Sequence, residues 1–130
     1  MQVEADVIVS AIIVKWCAGF AKLDATALAS LYSNNAFFFG SNPKLYRGRD
    51  GAADYFNGLP RWRSSSAVFS EVQAAQAGPD LINMAAIASF DLGEEGPPLS
   101  VKITWVIVRE DGDWKIASHH VSSKIPLIER

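Results

Sequence analysis

Two β-rich runs, Leu99–Arg109 and Trp114–Ser122, flank the turn-forming residues Glu110, Asp111 and Gly112, and this hairpin constrains the fold more than any other stretch. Val, Ile, Thr and Trp fill the first run, the composition that a pleated, half-buried surface selects. With Gly112 in the left-handed position of a three-residue bulged loop, Arg109 and Asp113 close the turn and set the register of both strands. Lys102 then lies opposite His120, Thr104 opposite Ser118, Val106 opposite Ile116 and Val108 opposite Trp114, all on one face. The other face carries Ile103 opposite His119 and Trp105 opposite Ala117, with Val121 at its far end. A four-residue loop shifts the register by one and breaks these pairs.

Upstream of the hairpin the period changes. Ile8, Ile12, Trp16 and Phe20 recur every four residues, with Val9, Ile13 and Cys17 beside them, which predicts a helix from Glu4 to Lys22. Asp24 reads as the N-cap of a second helix, Ala25 to Tyr32, stopped by Asn34 and Asn35. Ala36–Gly40, with three consecutive Phe, reads as a short buried strand, and Ser41, Asn42 and Pro43 as a loop leading to Tyr46. A third helix runs from Arg49 to Gly58. Ile82, Met84, Ala86, Ala88, Phe90 and Leu92 then alternate with polar residues as a half-buried strand does, and Gly93–Pro98 forms a loop. Helices followed by a meander of long strands make an α+β fold, with N-terminal helices packed on a curved antiparallel sheet, in a single domain over residues 1–130.

Composition narrows the function classes. Twelve Lys and Arg against 14 Asp and Glu leave a formal charge of −2, so no cationic field awaits nucleic acid. The apolar run Val7–Val14 is too short to span a bilayer and lacks signal-peptide flanks. One cysteine, Cys17, permits no internal disulfide, and the expected compartment is the cytoplasm. That thiol is expected to face inward as an inert group. No metal site is expected, because neighbours on a strand point to opposite faces and His119 and His120 cannot chelate one ion together. No phosphate-cradling glycine loop or nucleophile elbow occurs, and no cofactor is expected. Ser64–Ser66 read as loop.

The candidate functional residues are aromatic or basic. Trp16, Phe20, Tyr32, Phe37, Phe39, Tyr46, Phe56, Trp62 and Trp105 exceed what a small core needs and point to a lined apolar cavity. One of His119 and His120, at most, serves such a pocket as acid, base or hydrogen-bond donor, with Tyr32 and Tyr46 as candidate catalytic partners. Trp16, Phe20, Tyr55, Phe56, Trp62, Lys102 and Trp105 are the candidate pocket lining. Polarity alone favours the Lys102 and His120 face as the pocket face.

Three stretches carry a family likeness: Phe20–Tyr32, then Tyr46-Arg-Gly-Arg-Asp-Gly with Tyr55-Phe56, and Thr104–Ser122. Together with the order of elements they resemble the nuclear transport factor 2-like superfamily, which includes SnoaL-like and ketosteroid isomerase-like proteins. The Arg109–Trp114 turn and the Trp114, Ile116, His120, Ser122 pattern look most like stand-alone bacterial relatives of the calcium/calmodulin-dependent kinase II association domain. The resemblance implies a cystatin-like cone. It also implies that Trp62 is a pocket aromatic and that the concave face carries Trp105, His119 and Val121, against the reading from polarity. Trp105 and Val121 stand where that association domain has arginines, so its anion-binding cluster is absent. The steroid isomerases use an aspartate base with a tyrosine and a protonated aspartic acid. Tyr32, Tyr46 or Tyr55 supplies such a donor, but Asp91 alternates away from the apolar face.

The expectation is therefore a small homodimeric pocket protein binding an apolar or aromatic small molecule. Two alternatives stand beside it. One is a cofactor-free isomerase, lyase or cyclase using a pocket histidine and tyrosine for proton transfer. The other is an assembly module resembling the kinase hub.

Overall fold

A computed structural model describes residues 2–128. The elements run α1 (Gln2–Ala21), α2 (Ala25–Ala29), β1 (Tyr32–Phe39), β2 (Leu45–Arg47), α3 (Gly48–Asn57), β3 (Ser66–Gly78), β4 (Leu81–Asp91), β5 (Leu99–Glu110) and β6 (Asp113–Ser123). The strands form one sheet in the order β2-β1-β6-β5-β4-β3. Every pairing is antiparallel except β1 with β6, so the sheet is mixed where the sequence predicts a wholly antiparallel one. The architecture is the expected α+β, cystatin-like arrangement of N-terminal helices on a sheet.

Helix α1 lays Ala5, Val9, Ile12, Trp16 and Phe20 into the core, a spacing of three and four that keeps one face inward. Cys17 sits beside that stripe and is only half-buried, not fully inward. The Asp24 carboxylate accepts the Ala27 amide at 3.0 Å and caps α2 as expected. That helix ends at Ala29 rather than Tyr32. The cause is tertiary: the Leu31 carbonyl accepts the Ile116 amide at 2.8 Å, and Tyr32 pairs with Ile116, so β6 draws these residues into the sheet. Asn34 and Asn35 consequently occupy an irregularity inside β1 instead of stopping a helix. Beyond it Ala36 and Phe38 turn inward, while Phe37 and Phe39, expected among the cavity aromatics, stand on the outer face.

The hairpin is tighter than the three-residue loop. Glu110 pairs with Asp113, and Asp111 (φ 53°) and Gly112 (φ 83°) are both left-handed, the signature of a two-residue type I′ turn. Arg109 then faces Trp114, Val108 faces Lys115 and Ile107 faces Ile116. The register shifts between Val106 and Ile107, where Ala117 is the extra residue of a bulge. Beyond it Val106 pairs with Ser118, Trp105 with His119, Thr104 with His120 and Lys102 with Ser122, which corrects each of the expected pairs. The bulge turns both Ile116 and His119 inward although they are three residues apart, and both are buried.

A polar knot ties the hairpin to the rest. The Ser33 hydroxyl donates to Glu110 Oε1 at 2.6 Å, and Arg49 reaches Glu110 Oε2 at 3.3 Å and the Tyr32 carbonyl at 3.0 Å. The Ser33 hydrogen bond, helped by the Asn34 amide and the Arg49 charge, holds the Glu110 carboxyl below the ordinary carboxylate range despite its partial burial.

The type I′ turn makes a testable demand. Gly112→Ala, which places a Cβ at φ 83°, is expected to cost about 1 kcal/mol in urea unfolding. Asp111→Asn is expected to be neutral or slightly stabilising, because Asn-Gly is the preferred pair for this turn. Equal losses at both positions would contradict the assignment.

Candidate functional site

Between α1, α3 and the inner face of the sheet lies a cavity of about 300 Å³, walled mostly by aromatic and aliphatic side chains. Trp16 and Phe20 enter from α1, stacked at 5.4 Å, because helical spacing places residues four apart on one face. Phe38 comes from β1, Tyr55 and Phe56 from α3, Phe90 from β4, and Val101 and Ile103 from β5. Leu59, Pro60 and Trp62 follow α3, while Leu92 and Leu99 flank the β4–β5 loop. Tyr55 is fixed at the wall by Ser41: its hydroxyl donates to Ser41 Oγ at 2.8 Å and accepts the Ser41 amide at 2.9 Å. Gly40 makes this possible, since a Cβ there would overlap the Tyr55 ring.

One polar side chain reaches the cavity from deep inside. His119 is 4% exposed and stacks on Phe38 at 4.0 Å between ring centres. Its Nδ1 accepts the Trp105 indole N–H at 3.0 Å and lies 2.9 Å from the Tyr32 hydroxyl. That hydroxyl in turn accepts the Trp16 indole N–H at 2.9 Å. An indole nitrogen only donates, so Nδ1 carries no proton and the Tyr32 hydroxyl hydrogen is directed at it. The neutral ring therefore holds its proton on Nε2. Burial, and secondly the neighbouring His120, lowers the His119 pKa to about 3. Burial raises that of Tyr32, so the phenol stays protonated.

Nε2 makes no hydrogen bond to the protein, yet among the described residues no fully buried side-chain nitrogen or oxygen lacks a partner. Nε2–H is thus open to the cavity that His119 lines. With Nδ1 occupied and Nε2 protonated, the ring presents a donor to the cavity and no basic lone pair. Among the described residues no three His, Cys, Asp or Glu side chains gather into a metal-holding group.

Of the sequence candidates, Trp16, Phe20, Tyr55, Phe56, Trp62 and His119 line the cavity. Tyr32 and Trp105 do not: they stand behind His119 and set its tautomer. Tyr46 packs edge-on against Tyr55 at 5.3 Å and takes a hydrogen bond from Asn42, away from the lining. Lys102 and His120 are exposed on the opposite face, so the pocket face expected from polarity is corrected to that of Trp105, His119 and Val121. Phe38, Phe90 and Val101 are cavity residues that the candidate set lacks. For Phe38 the signal exists in the Phe37-Phe38-Phe39 run, since only its middle member shares a face with Ala36.

Residues 9–127 match the SnoaL-like domain family, and the chain belongs to that family. No curated protein matches it. A nuclear transport factor 2-like protein of unknown function from Pseudomonas putida superposes with a TM-score of 0.84 at 16% identity, over 98% of this chain and 92% of that one. A domain of unknown function with a cystatin-like fold from Nostoc punctiforme gives 0.83 at 14% identity, over 98% and 82%. A protein from Xanthomonas campestris, provisionally assigned as a calcium/calmodulin dependent protein kinase II association domain, gives 0.79 at 21% identity, over 92% and 87%. These likenesses show the fold. In addition, no described helix is long and apolar enough to cross a membrane.

The buried neutral histidine predicts acid sensitivity of a definite sign. Unfolded, the ring takes up a proton below about pH 6.5; folded, it does so only near 3. Its contribution to stability is full above pH 6.5 and is lost as the pH falls towards 3, at up to about 1.4 kcal/mol per pH unit. Denaturant unfolding at pH 7, 6, 5 and 4 is expected to show this loss in the wild type, with a shallower slope in His119→Gln. Parallel curves would contradict it.

Proposed function

We propose that this SnoaL-like domain is a homodimeric pocket protein whose cavity takes up one small apolar or aromatic molecule. The observation that carries the reading is the cavity itself: about 300 Å³, lined by Phe, Trp, Leu and Val and, among the described residues, by no charged side chain. A cavity of about 150 Å³ with such walls is enough to hold benzene, so this one suits a ligand of one or two rings. Rings on several sides favour flat ligands, which gain offset or edge contacts with Trp16, Phe38 and Phe56. Proton transfer by His119 as a base finds no support in a ring whose Nδ1 already takes donors from Trp105 and Tyr32. On this reading the protein works in the cytoplasm, where the free Cys17 thiol stays reduced.

The outer face of the sheet supports the dimer. Phe37 and Phe39 are 52% and 37% exposed there, beside Thr104, Val106, Ser118 and His120. Of the Lys and Arg residues of β5 and β6, Lys102 and Lys115 stand on that face, opposite Ser122 and Val108 towards its two ends. A self-complementary sheet face of this kind suits a second copy of the chain. Sedimentation is expected to give a dimer for the wild type and a monomer for Phe37→Asp. A wild-type monomer would remove the dimer from this proposal.

Ligand uptake is tested with naphthalene. Titration is expected to change tryptophan emission saturably, because Trp16 and Trp62 border the cavity. Val101→Phe, which fills part of the space, is expected to weaken binding by about tenfold or more while leaving the circular dichroism unchanged. Unaltered emission at saturating naphthalene would contradict the reading.

A further inference from the structure

The polar groups on the cavity wall are few, and their commitments differ. Trp16 has an indole N–H that is spent on the Tyr32 hydroxyl at 2.9 Å. Tyr55 and Ser41 are bonded to each other at the wall. Among the described residues that leaves two lining side-chain nitrogens without a hydrogen bond to the protein, Nε2 of His119 and Nε1 of Trp62. Both are neutral N–H donors, and neither can accept. The donor role of His119 is not interchangeable with acceptance by ring tautomerism. A proton moved to Nδ1 would face the Trp105 N–H at 3.0 Å, a donor that cannot turn acceptor, and would break that bond inside the core even if the Tyr32 oxygen at 2.9 Å took the proton instead.

From this arrangement we infer that the ligand is uncharged and presents one hydrogen-bond acceptor, of the ketone, aldehyde or ether class, to His119 Nε2 while the rest of it is hydrocarbon. The inference rests on the pocket reading above and sharpens it. An apolar ligand without an acceptor leaves the Nε2–H desolvated and unpaired, which is unfavourable. A carboxylate brings a full charge into a cavity whose lining holds no Lys or Arg, and one neutral N–H does not offset its desolvation. A ligand whose polar group only donates finds no acceptor at His119 Nε2. The Trp62 indole lies beside Phe20, at 6.1 Å between rings, and offers the same neutral-donor chemistry to a ligand atom there.

Three matched probes decide the matter: naphthalene, 2-acetylnaphthalene and 2-naphthoate, titrated at pH 7 against the wild type with tryptophan emission as the signal. The ketone is expected to bind about five- to tenfold more tightly than the hydrocarbon, the worth of one neutral hydrogen bond, and about a hundredfold more tightly than the carboxylate. His119→Phe is expected to erase the preference for the ketone. His119→Gln, whose amide oxygen can take the Trp105 and Tyr32 donors while its NH₂ faces the cavity, is expected to keep the preference, and it serves where the Phe variant fails to fold. Equal affinity for ketone and hydrocarbon, or tighter binding of the carboxylate, overturns the inference and leaves the pocket standing. Failure of all three probes to bind overturns the pocket reading and this inference with it.

Discussion

The 3.0 Å hydrogen bond from the Trp105 indole to His119 Nδ1 is the interaction on which the rest of the site depends. It joins the two central strands β5 and β6 below the cavity floor and decides which nitrogen of the imidazole carries the proton. The Tyr32 hydroxyl brings β1 into the same bond network, and the Trp16 indole brings α1. Four elements thus meet in one buried chain of donors that ends on one acceptor. Such a network is stabilising only when its buried members are satisfied, and among the described residues every fully buried side-chain nitrogen and oxygen has a partner. Its one outward-facing atom is Nε2, so a device that holds the core together also determines what the cavity can recognise.

Backbone irregularities make this geometry possible. A regular β6 would put Ile116 and His119 on opposite faces; the bulge at Ala117 turns both inward. Without it either the core loses Ile116 or the cavity loses its imidazole. The irregular stretch between Tyr32 and Phe37 does the same for β1, setting Tyr32, Ser33 and Phe38 all inward. The Glu110 carboxylate steadies this edge by holding Ser33 and Arg49 together at the end of β5. Fold and site are therefore coupled through places where the period of two is broken.

That coupling explains which parts were legible in the sequence. The stripe of α1, the alternation of β4 and the density of β-branched residues in β5 follow their periods without interruption, and those elements lie where their patterns put them. The α+β fold is legible in the order of these elements, and the SnoaL-like family in that order together with Phe20–Tyr32, Tyr46–Gly51 with Tyr55-Phe56, and Thr104–Ser122. Register was not: Asp111 and Gly112 fit both a two-residue and a three-residue turn, and only the backbone dihedrals distinguish them. The face of His119 followed from counting along β6, whereas Ile116 did not, because a bulge leaves no sign in composition. Polarity drew attention to Lys102 and His120 as pocket residues, yet a charged residue amid apolar neighbours on a strand marks the solvent face of an alternating pattern. Of the phenylalanines, Phe38 was hidden by its two neighbours, which look identical in sequence and point the other way.

The site turns on a histidine held as a neutral donor by an indole on one side and facing an apolar cavity on the other. Nitrogen-15 NMR of the imidazole rings tests it most directly, since the two nitrogens report protonation separately. His119 is expected to show a proton on Nε2 and an unprotonated, hydrogen-bonded Nδ1 at every pH from 8 down to about 4. A proton on Nδ1, or protonation of the His119 ring near pH 6.5, would contradict it.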